Sequence, residues 1–326
     1  MATAPHPHPG PLAGPILLQR AGVSSRLDEV LRERARLTDD ALAELDGFLA
    51  ELAQEVGERL EAMLDGAPIG DTATEGAFVG LKEGAAVKAQ VLATHWEGFA
   101  RIIEDAGMPA ARERWFDRYG DLAVQAERAM AAQGFPRADT LLDSEAVAEG
   151  IAALQRRHDD ALFGKFTRLS AERITDALHT QVGLKSHKEI AREIVEQEDL
   201  TRPQAMAEAE TRVAEADRYF TAVAAEQASE GEADFVYAYA GPVDAKTRPF
   251  CSKIVGKAFD LDQIERLRNG QTSSPPFLSG GGYRCRHLWV PVLPALLDAL
   301  PYSTGTDADI SAANAAAGTR GKKAGK

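Results

Sequence analysis

The sequence predicts a mainly α protein: an elongated helical-bundle trunk followed by a compact strand-helix-strand module of α+β type near the C-terminus. Three observations carry this reading. Apolar residues recur at steps of three and four over long stretches, which is the period of one helix face. No strand-like alternation occurs before residue 234. Only 6% of residues are aromatic, and alanine, the best helix former, is abundant.

A chain of 326 residues is longer than one compact core usually needs. Residues 1–23 read as a flexible Pro-rich leader in which His6 and His8 alternate with prolines. Residues 24–230 read as the helical trunk. Its pattern turns helical at Ser24, and Thr38 is placed as an N-cap with Asp39 and Asp40 in the first turn. Leu42, Leu45, Leu49, Leu52, Val56, Leu60 and Met63 then form one stripe, stopped by Gly66 and Pro68. Further helices are expected over about 74–106, 110–133 and 144–182, each stopped by glycine or proline. Ser186 and Glu189 form a capping box opening a short helix to about Gln197. Thr201 and Gln204 repeat the device, with Pro203 in the first turn of the next helix.

At Gly231 the texture changes, and residues 231–295 read as the small module. "DFVYAYAG" alternates Phe235, Tyr237 and Tyr239 with smaller residues, a strand signature. Thr247 is placed as the cap of a short helix holding Cys251 and stopped by Gly256. A short strand "KAF", a helix over Leu261 to Arg268, a loop, and a strand from Tyr283 to Val292 follow. Residues 296–326 read as a flexible Ala/Gly-rich tail ending in basic residues.

The bulk numbers exclude several classes. A net charge of −13 argues against a surface built to coat nucleic acid, because phosphate contacts need Lys and Arg. Two cysteines make no disulfide framework. No apolar run reaches the roughly 18 residues of a membrane span, and the leader does not read as a signal peptide. P-loop, H-E-x-x-H and G-x-S-x-G motifs are absent, and the glycines at 280–282 precede a strand, whereas phosphate-cradling glycines precede a helix. His95, His158, His179 and His187 scatter through helical segments as satisfied or exposed helix residues.

The chemistry concentrates in "GGGYRCRHLWVPV". On a strand, Cys285 and His287 share one face and Arg284 and Arg286 the other. Cys-x-His is then a two-ligand claw, with Cys251 as a third ligand and Asp244 or a water completing the four that structural zinc wants. The residues alone leave four readings open. In these the thiols pack as small hydrophobes, hold a metal, join as a Cys251–Cys285 disulfide, or form a catalytic Cys-His pair.

The same region resembles the C-terminal domain of phage Mu F-like head morphogenesis proteins, also called minor head or minor capsid proteins. Glu210 and Thr211 match that family's helix. Asp244, Thr247, Arg248 and Pro249 match its Asp-x-x-Thr-Arg-Pro step. Gly256, Lys257 and Phe259 match its Gly-Lys-x-Phe turn, and Pro275 and Pro276 its proline pair. Cys285, Arg286 and His287 match its closing Cys-Arg-Cys, with His in the last place. Many members also carry a His three residues before the first Cys, where this chain has Gly282. The likeness spans about residues 186–293.

It implies a non-enzymatic structural protein of a tailed phage or prophage, made in the bacterial cytoplasm and carried in the virion head. The portal protein and major capsid or scaffold proteins would be its partners, with self-association through the trunk helices and no membrane. Arg248 and Arg286 would find partners inside the module, and Lys322, Lys323 and Lys326 would be the contacts to packaged DNA. Zinc is the cofactor the ligand types suggest. The rival reading is a metal-dependent or thiol hydrolase using Cys251, Cys285 and His287. A dedicated nucleic-acid-binding protein is disfavoured by the net charge.

Overall fold

The computed structural model describes residues 16–65, 103, 105–135, 144–181, 185–229 and 234–317. The basic residues Lys322, Lys323 and Lys326, and most of the helix expected over 74–106, lie outside these. The fold is mainly α with a small α+β module at the C-terminal side.

Helix α1 (Ile16–Asp65) begins inside the expected leader and passes Thr38 without a break. Thr38 is therefore no N-cap; its hydroxyl donates back to the Arg34 carbonyl at 3.1 Å, as an interior helix threonine does. The physical reason is tertiary. Leu27 and Val30 are buried against the module, so packing holds the helix together upstream of the local start signal. The expected stripe is the buried face: Leu45, Leu49, Leu52, Val56 and Leu60 are all buried.

Helix α2 (Met108–Ala132) starts after Gly107, whose φ of 88° suits glycine, with proline in the first turn. Helix α3 (Glu145–Asp159) continues through a π turn at Asp160–Gly164 into α4 (Lys165–Gln181). The π turn shifts the register of the buried face, so that the neighbours Leu162 and Phe163 both reach the core. Helix α5 (His187–Ser229) opens on the expected capping box, with the Ser186 amide donating to Glu189 Oε2 at 3.0 Å and the Glu189 amide to Ser186 Oγ at 3.3 Å. The second start expected at Thr201 does not occur, since α5 runs through it with Pro203 in its interior. Ile190 and Ile194 before the proline and Ala209, Val213, Ala216 and Phe220 after it belong to one buried cluster, which keeps the two halves in line.

The module begins with β1 (Val236–Ala240), followed by α6 (Pro249–Ile254), β2 (Lys257–Phe259), α7 (Leu261–Glu265), α8 (Pro276–Ser279) and β3 (Leu288–Val292). A 3-10 turn (Pro294–Ala299), β4 (Ser303–Thr304) and α9 (Asp307–Ala317) complete it. The sheet order is β3-β1-β2-β4, antiparallel except for the parallel pair β2/β4. Pro291 is accommodated because β3 is an edge strand.

Three boundaries differ from expectation. The final strand is shorter: residues 283–287 form an irregular turn and only 288–292 pair with β1. The residues after 295 are not a free tail as far as Ala317. Ile310 and Ala313 are buried, Asn314 bonds the Arg268 amide and the Arg266 carbonyl, and Lys257 pairs with Asp309. Finally, residue 230 marks no gap in packing. One core cluster runs from Leu45 and Tyr119 in the trunk to Tyr239 and Phe259 in the module. On the other sheet face, Ala238, Ala258, Val290 and Val292 pack with Leu27, Val30 and Ala129 of the trunk. Among the described residues, no helix is long and apolar enough to cross a membrane.

Candidate metal centre

Cys251, Cys285 and His287 come together as a buried group whose ligand atoms all lie within 4.8 Å of one another, and which could hold a metal ion. They are 1%, 4% and 2% exposed. Cys251 sits on α6, where Pro249 pre-sets the first turn. Cys285 sits in the turn before β3, whose backbone takes φ values of 53° at Gly280, 95° at Gly282 and 55° at Arg284. His287 immediately precedes β3 and its ring stacks on Tyr239 of β1, at 5.1 Å and 8°. The expected convergence of Cys285 and His287 therefore holds, but for another reason: a left-handed turn sets it, not strand alternation.

The distances are compact. Cys251 Sγ and Cys285 Sγ are 3.9 Å apart and both thiols are free, so the disulfide weighed from sequence is not formed. Cys285 Sγ lies 3.8 Å from His287 Nδ1. Tyr239 Oη stands 3.1 Å from Cys285 Sγ and 3.5 Å from Cys251 Sγ. The Gly281 amide donates to Cys285 Sγ at 3.0 Å. Gly281 must be glycine, since a Cβ there would lie 2.2 Å from Cys251 Sγ.

These contacts polarise the thiol pair. The Cys251 thiol is pushed up, first by its hydrogen bond with Cys285 and then by burial. The Cys285 thiol is pulled down by that same hydrogen bond, with help from His287, Arg218 and Tyr239. Burial and the two thiols raise the Tyr239 phenol well above its ordinary value, so it stays a neutral donor.

Arg218, on α5, encloses the group from the trunk side. It is 1% exposed and donates to three main-chain carbonyls: Leu278 at 2.7 Å, Cys285 at 3.0 Å and His287 at 2.8 Å. Neither Arg218 nor Tyr239 is singled out by the sequence. Tyr239 carries a partial signal as the last aromatic of the strand alternation. Arg218 carries none, because its partners lie at least 60 residues away.

The other expected site residues are structural joints. Asp244 does not join the metal group; both its oxygens accept from Arg286, at 2.6 and 2.9 Å, and this ion pair holds its carboxyl well below the usual range. Asp244 Oδ1 also accepts from the Lys246 amide at 2.8 Å and the Thr247 hydroxyl at 3.3 Å, shaping the turn before α6. Thr247 lies one residue short of the cap position, which is Arg248. Arg248 donates to the carbonyls of Gly281 and Tyr283. Gly256, at φ 80°, donates to the Tyr239 carbonyl and accepts from the Ser303 amide. Gly282 offers no fourth ligand, and a Cβ there would meet Gln271 at 2.6 Å.

The donor set fits an ion. Two sulfurs bound at about 2.3 Å to a tetrahedral centre stand roughly 3.8 Å apart, close to the spacing of the two thiols. Two features count the other way. Nε2 of His287 is buried without a hydrogen-bond partner, whereas a ligating histidine normally has its second nitrogen satisfied. And the group comprises three ligands of the usual types among the described residues, one short of the four that structural zinc takes.

No family model, curated protein or solved structure matches the chain.

Proposed function

We propose that the chain is a structural minor head protein of a tailed phage or prophage, acting in head morphogenesis at the portal vertex or the capsid interior. The observation that carries this reading is where the family-like residues fall. Glu210 pairs with Arg284, and Thr211 accepts from the Arg284 amide. Asp244 pairs with Arg286, Lys257 with Asp309, and the Pro276 carbonyl accepts from Trp289. Phe259 is fully buried. Residues spaced like the family motif thus act together as the joints of one closed module. Such a set specifies a shape for assembly.

In the same reading the ion at Cys251, Cys285 and His287 is zinc. When bound it would tie α6, the 280–287 turn and the edge of β3 into one unit, a structural role. The burial of all three side chains, and a group that includes no carboxylate among the described residues, favour this over a hydrolytic centre with an open water position.

The test is composition of particles. Purified particles from an induced host carrying the chain should contain it by mass spectrometry, cross-linked to portal or capsid subunits. Particles that assemble fully without it, with the chain remaining free in the lysate, would contradict the assignment.

A further inference from the structure

A cavity of about 690 Å³ opens where the first half of α1, the middle of α5 and the turns of the module meet. Its walls are basic in a chain that is acidic overall. Arg34, Lys246, Arg248, Arg284 and Arg286 line it, against the carboxylates Asp39, Glu210 and Asp217. Glu210 is spent on Arg284, in two contacts of 2.5 and 2.8 Å. Asp244, outside the lining, neutralises Arg286. Lys246 and Arg248 have no carboxylate partner among the described residues.

The deepest cation is the informative one. Arg34 is 1% exposed, and its Nε and Nη2 donate to Asp217 Oδ1 at 2.9 and 2.5 Å, with Nη2 also reaching Thr221 at 2.7 Å. Its Nη1 is buried and has no hydrogen-bond partner, and Asp217 Oδ2 is likewise unpartnered. Arg34 and Asp217 both line the cavity, and a buried donor and a buried acceptor left without partners there are costly unless something bonds them. A ligand hydroxyl, which both accepts and donates, has the chemistry that an unpartnered Nη1 and an unpartnered Oδ2 call for. The uncompensated charges of Lys246 and Arg248 suit a phosphate group. The remaining wall is mostly apolar, with Leu42, Ala214 and Leu288 beside Thr38 and Cys285, and the volume falls in the usual range for small-molecule sites.

We propose that this cavity binds a phosphate ester carrying a free hydroxyl, of about nucleotide size, with the phosphate on Lys246 and Arg248 and the hydroxyl between Arg34 and Asp217. The proposal does not depend on the head-protein reading and stands or falls separately.

The experiment is thermal-shift and calorimetric titration of the full chain with adenosine monophosphate, inorganic phosphate and a short single-stranded oligonucleotide. The nucleotide should raise the melting temperature in a saturable way and bind more tightly than phosphate alone. Lys246→Glu, a surface charge reversal with no ion pair to break, should weaken binding at least about tenfold. Arg34→Lys, which removes Nη1 but keeps the charge, should abolish the preference of nucleotide over phosphate. A much tighter oligonucleotide response, lost in the same variants, assigns the phosphate to a nucleic-acid strand and upholds the site. No saturable response to any of the three, or responses that both variants leave unchanged, overturns it.

Discussion

Arg218 Nη2 on the last trunk helix donates to the main-chain carbonyl of His287 at 2.8 Å, from a position fully sealed from solvent. This bond and its companions to Cys285 and Leu278 make the trunk a wall of the candidate metal site. Removing the guanidinium would strand three carbonyls in the interior. Arg218→Ala should therefore cost at least about 3 kcal/mol in denaturant unfolding, at one to three per buried unsatisfied group. Arg218→Lys should recover little of it, because an ammonium cannot reproduce the planar fork. A cost below about 1 kcal/mol for the alanine variant would show the clamp to be incidental.

Gly281 is where the thiols allow no extra atom. Gly281→Ala places a methyl against Cys251 Sγ and should destabilise by about 1–3 kcal/mol through overpacking. The change should also increase the reactivity of both thiols toward a maleimide in the folded protein. Unchanged stability and unchanged labelling would mean that the turn is looser than described.

The trunk holds a buried titratable group of its own. His158 is fully buried between Tyr119, whose hydroxyl meets Nδ1, and Glu215, whose Oε2 lies 3.3 Å from Nε2 without aligning as a hydrogen bond. Arg212 and Arg157 flank Glu215. Burial, the largest cause, lowers the His158 pKa below its ordinary 6.5, with the two arginines adding to it against the pull of Glu215. Protonation then favours the unfolded chain. The contribution of His158 is present in full above about pH 6.5 and is lost as pH falls below it. Glu215, whose own pKa is lowered, begins to matter only further down, below its ordinary 4.5. Unfolding free energy should fall between pH 7.5 and 5.5, and His158→Gln should flatten that slope whatever it does to absolute stability. An equal slope in both proteins would contradict the assignment.

The C-terminal helix supplies a fourth expectation. Truncation after Thr304 removes Ile310 and Ala313 from the core and breaks the Lys257–Asp309 and Arg266–Asp307 pairs. The burial lost is worth several kcal/mol at about 0.8 kcal/mol per methylene, so the truncated chain should melt at a clearly lower temperature and bind a hydrophobic dye. Retention of the full melting temperature would return residues 305–317 to the status of a dispensable tail.

How much of this was legible in the sequence follows from the range of each interaction. The α5 start at Ser186, the α2 start after Gly107 and the buried stripe of α1 were readable, because caps, breakers and periodicity act within a few residues. Thr38 and Thr201 misled for a complementary reason. A cap motif marks where a helix is able to begin, and packing of Leu27 and Val30 on the module, or of Ile190 through Phe220 in the core, carries the helix across it. The pairing of Cys285 with His287 was anticipated through strand alternation, yet the backbone there turns left-handed at Gly282 and Arg284, and the two side chains meet all the same. Residues 307–317 read as tail because alanine-rich helices carry a weak apolar stripe. Only two of their side chains, Ile310 and Ala313, are buried. Arg218 and the open pair on Arg34 and Asp217 belong to contacts across 60 residues or more, which no local pattern records.

The most direct measurement is the metal content of the reduced full chain, by elemental analysis alongside Cys285→Ser and His287→Ala. The account predicts close to one zinc per chain, lost in both variants together with a fall in melting temperature, and a similar fall on chelation of the parent protein. A metal-free parent whose stability neither chelator nor either substitution alters would contradict it.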